Sequence, residues 1–138
     1  QKGFTLAELL IVVVILGILG SIALPRFFPQ AEKGRVAEAI AMLSAIRQGE
    51  EAYRLENGSY IASTNASFGW EKSLGMEDPG SAGFFTYAIA TPSTSTFTAT
   101  ATRTALKADT YQSDTIAIKQ DGSWCGDHAL GPNPVACS

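Results

Sequence analysis

An apolar run near the start of the chain, from Phe4 to Leu24, restricts what the chain can fold into. Its clearly polar side chains are Thr5, Glu8 and Ser21. A helix rises ~1.5 Å per residue and the hydrocarbon core of a bilayer is ~30 Å thick, so a helix over this run is long enough to cross a membrane. Because an acidic side chain is unfavourable in the bilayer core, we expect Glu8 to have a dedicated partner.

The run lacks the features of a cleaved secretory signal. The apolar core of such a signal is about 7–15 residues long, and a cleavage site with small residues follows it. This run is longer, and the bulky stretch Pro25–Phe28 follows it. The sequence therefore predicts a membrane helix that stays part of the chain.

Composition favours an exported structural domain over a cytosolic enzyme. The 138 residues carry a net charge of −3, 17% of them are charged, and the segment after Thr91 is rich in Thr, Ser and Ala. An acidic chain without a basic stripe does not suit a nucleic-acid surface, so we expect no nucleic-acid partner. The sequence has no phosphate-binding loop, glycine-rich nucleotide motif or acidic metal cluster, and we expect no cofactor, no metal and no enzymatic activity.

The two cysteines, Cys125 and Cys137, lie close together near the C-terminus. In a chain with an N-terminal membrane helix they predict a disulfide that forms outside the cytoplasm, where it stabilises the fold by about 3 kcal/mol. The alternative is a metal site completed by Asp127 and His128, but this spacing matches no standard zinc pattern. A catalytic triad of Ser123, Asp127 and His128 is disfavoured because all three lie in one short segment without an oxyanion motif.

A second helical pattern continues the first. From position 36 to position 46 apolar side chains recur every three or four residues and position 53 follows about two turns later, with charged side chains opposite. The apolar stripe consists of Val36, Ala39, Ile40, Leu43, Ile46 and Tyr53, and the charged side of Glu32, Arg35, Glu38, Arg47, Glu51 and Arg54. Asn57-Gly58 is a typical helix end. We therefore expect one helix over Phe4–Glu56, apolar on all sides in its first half and amphipathic in its second.

Strand patterns follow the helix. The candidates are Phe84–Ala90, Thr96–Ala105 and Thr115–Lys119. Their β-branched and aromatic side chains are typical of half-buried strands. The predicted fold class is α+β: a long N-terminal helical spine whose apolar half protrudes and whose amphipathic half packs on a small antiparallel β-sheet, with a C-terminal disulfide-bounded loop.

Two sequence patterns indicate candidate glycosylation sites. Asn57 and Asn65 each begin an Asn-x-Ser pattern, the acceptor pattern for N-linked glycans. A pattern this short often occurs by chance. The Thr- and Ser-rich segment is an alternative place for O-linked glycans.

The stretch Lys2–Glu8, which reads KGFTLAE, and the apolar segment after it resemble the processing site and N-terminal helix of type IV pilins and pseudopilins. The resemblance implies that a prepilin peptidase cuts after Gly3 and methylates the new amine on Phe4. It implies that Glu8 is the assembly residue. It divides the chain into a leader remnant and processing site at 1–3, a membrane and filament-core half-helix at 4–30, and a globular pilin head at 31–138.

Gly17, Gly20 and Pro25 interrupt the helix-forming pattern of the apolar run. Gly17 and Pro25 match family positions that flank a stretch of helix that loosens in assembled filaments. Gly17 and Gly20 equally suit close packing between helices in lipid. Both interpretations stay open from the sequence.

Glu8 has a physical role that follows from its position. Phe4 and Glu8 are one helical turn apart, and cleavage leaves a cationic amine at Phe4. In an apolar bundle, a carboxylate of one chain attracts an amine of another, and a subunit docked out of register leaves both charges unpaired. The alternative is a carboxylate that only favours the positive end of its own helix.

The resemblance implies a structural subunit that polymerises with copies of itself into an extracellular filament. The chain would wait in the inner membrane, be cleaved, and be moved by pilus assembly machinery into a type IV pilus on the cell surface, as a major subunit. The runner-up is a pseudopilin of a type II secretion system; the cysteine pair favours the pilus. A membrane-anchored ligand-binding module leaves the processing pattern unexplained. Twitching, adhesion, DNA uptake and electron transfer stay open as roles.

Overall fold

The computed structural model describes residues 2–61, 70, 74–79, 83–90, 92–104 and 110–138, without the side chains of 24–29. The chain forms one helix and four strands: α1 (Leu6–Asn57), β1 (Phe85–Ala90), β2 (Thr98–Arg103), β3 (Thr115–Lys119) and β4 (Trp124–Gly126). It separates into two compact units, Gln1–Gly34 and Arg35–Ser138.

The first unit carries the apolar half of α1. The stretch Leu6–Ala23 is 18 residues long, and by length and composition it is able to cross a membrane. Its large apolar side chains are exposed in the single chain. A helix that is apolar on all sides and that no other described part of the chain covers needs lipid or other helices around it.

Both ends of α1 have identifiable causes. The helix begins at Leu6 rather than at the predicted Phe4, because Thr5 serves as its N-cap. At the other end Gly58 adopts a φ of 78°, and its N–H donates to the carbonyl of Arg54 at 2.8 Å. Glycine takes this left-handed conformation without strain, so the helix end predicted at Asn57-Gly58 is confirmed.

The second unit is built on the amphipathic half of α1. Val36, Ala39, Leu43 and Ile46 are buried in one core with side chains of the sheet, while Ile40 packs at its edge. This confirms the predicted apolar stripe from Val36 to Ile46, whereas Tyr53 is only half-buried and lies outside this core. The charged side is less regular than predicted, because Glu32 is buried.

The sheet has the order β1-β2-β3-β4, and every neighbouring pair is antiparallel. Alternate residues of the strands face the core, among them Tyr87, Ala101 and Ile116, which lie side by side across three strands. The opposite face carries mainly Thr and Ala. The predicted fold class is therefore confirmed: an N-terminal apolar helix, a small antiparallel sheet and a C-terminal disulfide.

Several strand predictions need correction. β1 begins at Phe85 rather than Phe84, and β2 ends at Arg103 rather than Ala105. β2 begins at Thr98 rather than Thr96, because the hydroxyl of Ser93 accepts from the backbone N–H of Thr96 at 2.9 Å and holds that residue in the turn. The sequence analysis also missed β4, which is three residues long. A strand this short shows no alternation, so its pairing with β3 was not visible in the pattern.

Candidate assembly site and disulfide region

The predicted processing site, Gly3 and Phe4, lies outside the helix. Residues 2–5 are not helical and are exposed, and α1 begins at Leu6. The bond between Gly3 and Phe4 is therefore free of helical hydrogen bonds. Exposed backbone of this kind is the form in which peptidases cut chains.

Glu8 takes part in a reciprocal cap at the start of α1. Its Oε2 accepts hydrogen bonds from the backbone N–H of Thr5 at 2.8 Å and from the Thr5 hydroxyl at 2.9 Å. The backbone N–H of Glu8 in turn donates to the Thr5 hydroxyl at 3.3 Å. This is a capping box, in which a threonine at the N-cap and a glutamate three residues later satisfy each other's free donors.

The capping box gives Glu8 a defined position in the single chain. Both hydrogen bonds to its carboxylate end on Oε2. The sequence analysis treated Thr5 only as a polar interruption of the apolar run. The spacing of Thr5 and Glu8 is the known signature of a capping box, so the sequence did contain this signal.

Gly17 and Gly20 are not required by packing within the chain. A side chain built at either position meets nothing within 4 Å. The helix continues through Pro25, whose side chain lies outside the described residues. Close packing between helices and loosening of the helix both remain predictions for these two glycines.

The predicted disulfide is confirmed. Cys125 and Cys137 are bonded, with their Cα atoms 5.1 Å apart. The alternative metal site is wrong because both thiols are consumed by the bond. Within the described ranges, no group of three His, Cys, Asp or Glu side chains is placed to hold a metal ion.

Hydrogen bonds anchor the disulfide loop to the sheet. The N–H of Gly126 donates to the carbonyl of Val135 at 2.7 Å, and the Asn133 side chain donates to the carbonyl of Trp124 at 3.0 Å. The carboxylate of Asp127 accepts from the Thr115 hydroxyl at 2.7 Å and from the Thr115 N–H. These bonds from Thr115 hold the pKa of Asp127 below its usual range.

The residues of the disfavoured triad are engaged elsewhere. The Ser123 hydroxyl donates to Asp121 at 2.6 Å, and Asp127 binds Thr115 as described. His128 is buried and stacks on the ring of Tyr111, with 5.0 Å between ring centroids. The arrangement does not connect a serine nucleophile to a histidine base.

Of the two candidate glycosylation sites, Asn57 lies within the described residues. Asn57 is exposed, and its side-chain amide donates to the carbonyl of Tyr53 at 3.0 Å. Asn65 lies outside the described residues. Glycosylation at both positions stays a prediction.

Comparison with known proteins decides the family. A family model described as "Type IV minor pilin ComP, DNA uptake sequence receptor" matches residues 25–127. A second model, the prokaryotic N-terminal methylation motif, matches residues 1–24. The chain belongs to the type IV pilin family. Together the two models cover the pilin's apolar half-helix and its head, so the resemblance drawn from Lys2–Glu8 is confirmed.

Curated relatives of this pilin match over part of their length. A fimbrial protein of Pseudomonas aeruginosa is 41% identical over 63 residues, which are 46% of this chain and 41% of the relative. The type II secretion system core protein G of Aeromonas hydrophila is 38% identical over 60 residues, 44% of this chain and 42% of the relative. The type IV major pilin protein PilE1 of Neisseria gonorrhoeae is 40% identical over 60 residues, 44% of this chain and 36% of the relative.

The matched region therefore spans about two fifths of the length of these relatives, for example 41% of the fimbrial protein. The pilin family is a family of structural proteins. The match to the methylation motif covers the predicted processing site at Gly3 and Phe4. An apolar N-terminal helix in a pilin is consistent with a precursor anchored in a membrane.

Proposed function

We propose that this pilin is a structural subunit that polymerises with copies of itself into an extracellular type IV pilus. The observation that carries the proposal is the apolar half of α1, whose large side chains over Leu6–Ala23 are exposed in the single chain. Such a surface is stable in lipid or among identical helices. In lipid there is no hydrophobic drive to associate, whereas outside lipid the drive is large, so one sequence serves both storage in the membrane and polymerisation.

Glu8 sets the register of the polymer. Its carboxylate is exposed at the start of an otherwise apolar surface, where a neighbouring chain brings its own N-terminus. Cleavage after Gly3 gives that neighbour a cationic, methylated amine on Phe4. The attraction between carboxylate and amine is strong once water is excluded, and a displaced subunit loses it.

Both hydrogen bonds to the Glu8 carboxylate come from Thr5 of the same chain and end on Oε2. The other oxygen, Oε1, is therefore available to the Phe4 amine of a neighbouring chain. The assembly interaction therefore adds to the capping box and does not need to break it. Gly17, Gly20 and Pro25 fit this scheme as positions where α1 packs closely or loosens inside the filament.

A pseudopilin of a type II secretion system is the second candidate, because relatives named core protein G match this chain over a similar length and at similar identity to the fimbrial relatives. The disulfide between Cys125 and Cys137 favours the pilus. Deletion separates the two: loss of sheared surface fibres supports the pilus, and a secretion defect without loss of fibres supports the pseudopilin.

Among the roles left open by the sequence, DNA uptake is the one that the description of the family model names. The net charge of −3 does not favour a DNA-binding surface on this chain. A filter-binding or gel-shift assay of sheared fibres with duplex DNA at two salt concentrations decides whether the chain acts as a receptor. The share of this subunit in sheared fibres of the unmodified strain, measured by gel densitometry, shows whether it is abundant, as we expect of a major pilin, or minor.

The test of the filament uses Glu8→Ala in a deletion strain, with Glu56→Ala as the matched control because Glu56 is an exposed carboxylate at the other end of α1. We expect Glu8→Ala to insert in the inner membrane and to give few or no fibres after shearing and electron microscopy. Glu56→Ala gives normal fibres. A normal yield of fibres from Glu8→Ala contradicts the proposed role of Glu8.

A further inference from the structure

Glu50 is a buried carboxyl for which filament assembly has no use. It follows Leu43 and Ile46 at helical spacing on the inner face of α1, and all three side chains are 0% exposed. Oε2 of Glu50 accepts a hydrogen bond of 3.0 Å from the backbone N–H of Ile61, in the segment that follows the helix. Oε1 is buried without a hydrogen-bond partner among the residues that the structure describes.

The charged neighbours of Glu50 do not neutralise it. On α1, the adjacent Glu51 carboxylate disfavours a second negative charge. Tyr60, in the segment after the helix, donates from its hydroxyl to Glu51 at 2.8 Å. The guanidinium of Arg54, on α1, donates to the Tyr60 hydroxyl at 3.2 Å and is therefore directed to the tyrosine and not to Glu50. The neighbouring groups that influence the charge of Glu50 are the Glu51 carboxylate and the backbone N–H of Ile61.

Burial therefore decides the ionisation of Glu50. It raises the pKa of Glu50 from 4.5 to about 7, with a further contribution from Glu51, while the N–H of Ile61 partly opposes the rise. A local opening that carries Ile61 away from α1 lets water reach the carboxyl. In the open state the pKa returns to the ordinary value for glutamate.

We propose that Glu50 is a proton-controlled latch, which holds α1 against the chain at Ile61 in acid and releases it more readily toward neutral pH. The sign follows from linkage. The closed state binds the proton more tightly than the open state, so closure is strongest below the ordinary pKa and weakens as pH rises through the raised one. Between these limits, opening becomes about tenfold easier for each pH unit, and above the raised pKa it changes no further.

The pilin in detergent micelles, studied by amide hydrogen exchange, tests the latch. After correction for the intrinsic pH dependence of exchange, we expect the opening equilibrium at the Ile61 amide to rise about 40-fold from pH 5 to pH 7, because the slope flattens as pH reaches the raised pKa of about 7. Glu50→Gln carries an uncharged side chain of nearly the same shape, so its opening stays constant over this range. Glu56→Gln, at an exposed position in the last turns of α1, keeps the pH dependence of the unmodified chain.

Two results overturn the proposal: an opening equilibrium at Ile61 that does not change with pH in the unmodified chain, or an unchanged pH slope in Glu50→Gln. A direct titration needs no variant and covers the case in which Glu50→Gln does not fold. Carbon NMR of the Glu50 carboxyl in the unmodified pilin is expected to show a midpoint near 7. A midpoint near the ordinary glutamate value of about 4.3 excludes the latch.

Discussion

Removing the disulfide tests how the C-terminal loop stabilises the head. The bond joins residues separated by 12 positions. Closing a loop of that size removes enough unfolded-state entropy to stabilise the fold by about 3 kcal/mol. We therefore expect the double variant Cys125→Ser, Cys137→Ser to lose about 3 kcal/mol of unfolding free energy. For a domain near 100 residues this lowers the melting temperature by about 12–24 °C.

Tryptophan fluorescence during denaturant unfolding measures this loss in the complete chain in detergent. Trp70 and Trp124 belong to the unit Arg35–Ser138, so the signal reports the head and not the apolar half-helix. Reductant supplies the matched control. It lowers the stability of the unmodified chain to that of the double variant, and it leaves the double variant unchanged.

A loss below about 1 kcal/mol refutes the entropy argument for this loop. The anchoring hydrogen bonds between Gly126 and Val135 and between Asn133 and Trp124 would then suffice to hold it. A loss this small also implies that the unfolded chain keeps the loop partly closed without the disulfide. The stabilisation by a disulfide depends on how much freedom the loop has in the unfolded chain.

Two further predictions concern hydrogen bonds seen in the structure. Thr5→Val keeps the shape of the side chain but removes the hydroxyl that binds Glu8, so we expect fewer sheared fibres. Thr5→Ser keeps the hydroxyl and is expected to give a normal yield. Equal yields from the two variants contradict a role for the cap. Asp127→Asn weakens the bonds from Thr115, and because Asp127 is exposed we expect a loss of only about 1 kcal/mol near pH 6. The pKa of Asp127 is lowered in the folded state, so the unmodified chain holds this stabilisation above the ordinary pKa and loses it as pH falls through the lowered pKa. In urea unfolding between pH 6 and pH 2, the free energies of unfolding of the two chains are therefore expected to converge at the acid end.

The sequence was sufficient for the main elements because their patterns are long. Helical spacing from Val36 to Ile46 predicted the buried face of α1, and the glycine at position 58 marked its end. The cysteine pair predicted the disulfide, and the match of Lys2–Glu8 to a processing site predicted the family. Each of these signals combines several residues in register, which is rare by chance.

The sequence was insufficient where one residue belongs to two patterns. Glu50 occupies a position of the apolar stripe, but its acidic type hid its complete burial. Thr5 interrupts an apolar run and also caps the helix, and only the second property orients Glu8. The pairing of β4 with β3 depends on contacts between distant parts of the chain, which hydrophobic spacing does not encode.

The measurement that most directly tests the filament account is a cryo-electron microscopy structure of the assembled fibre. We predict that the amine of Phe4 in one subunit lies within about 4 Å of the Glu8 carboxylate of an adjoining subunit, the distance of an ion pair. Fibres in which Glu8 has no cationic group of another subunit within reach contradict the account.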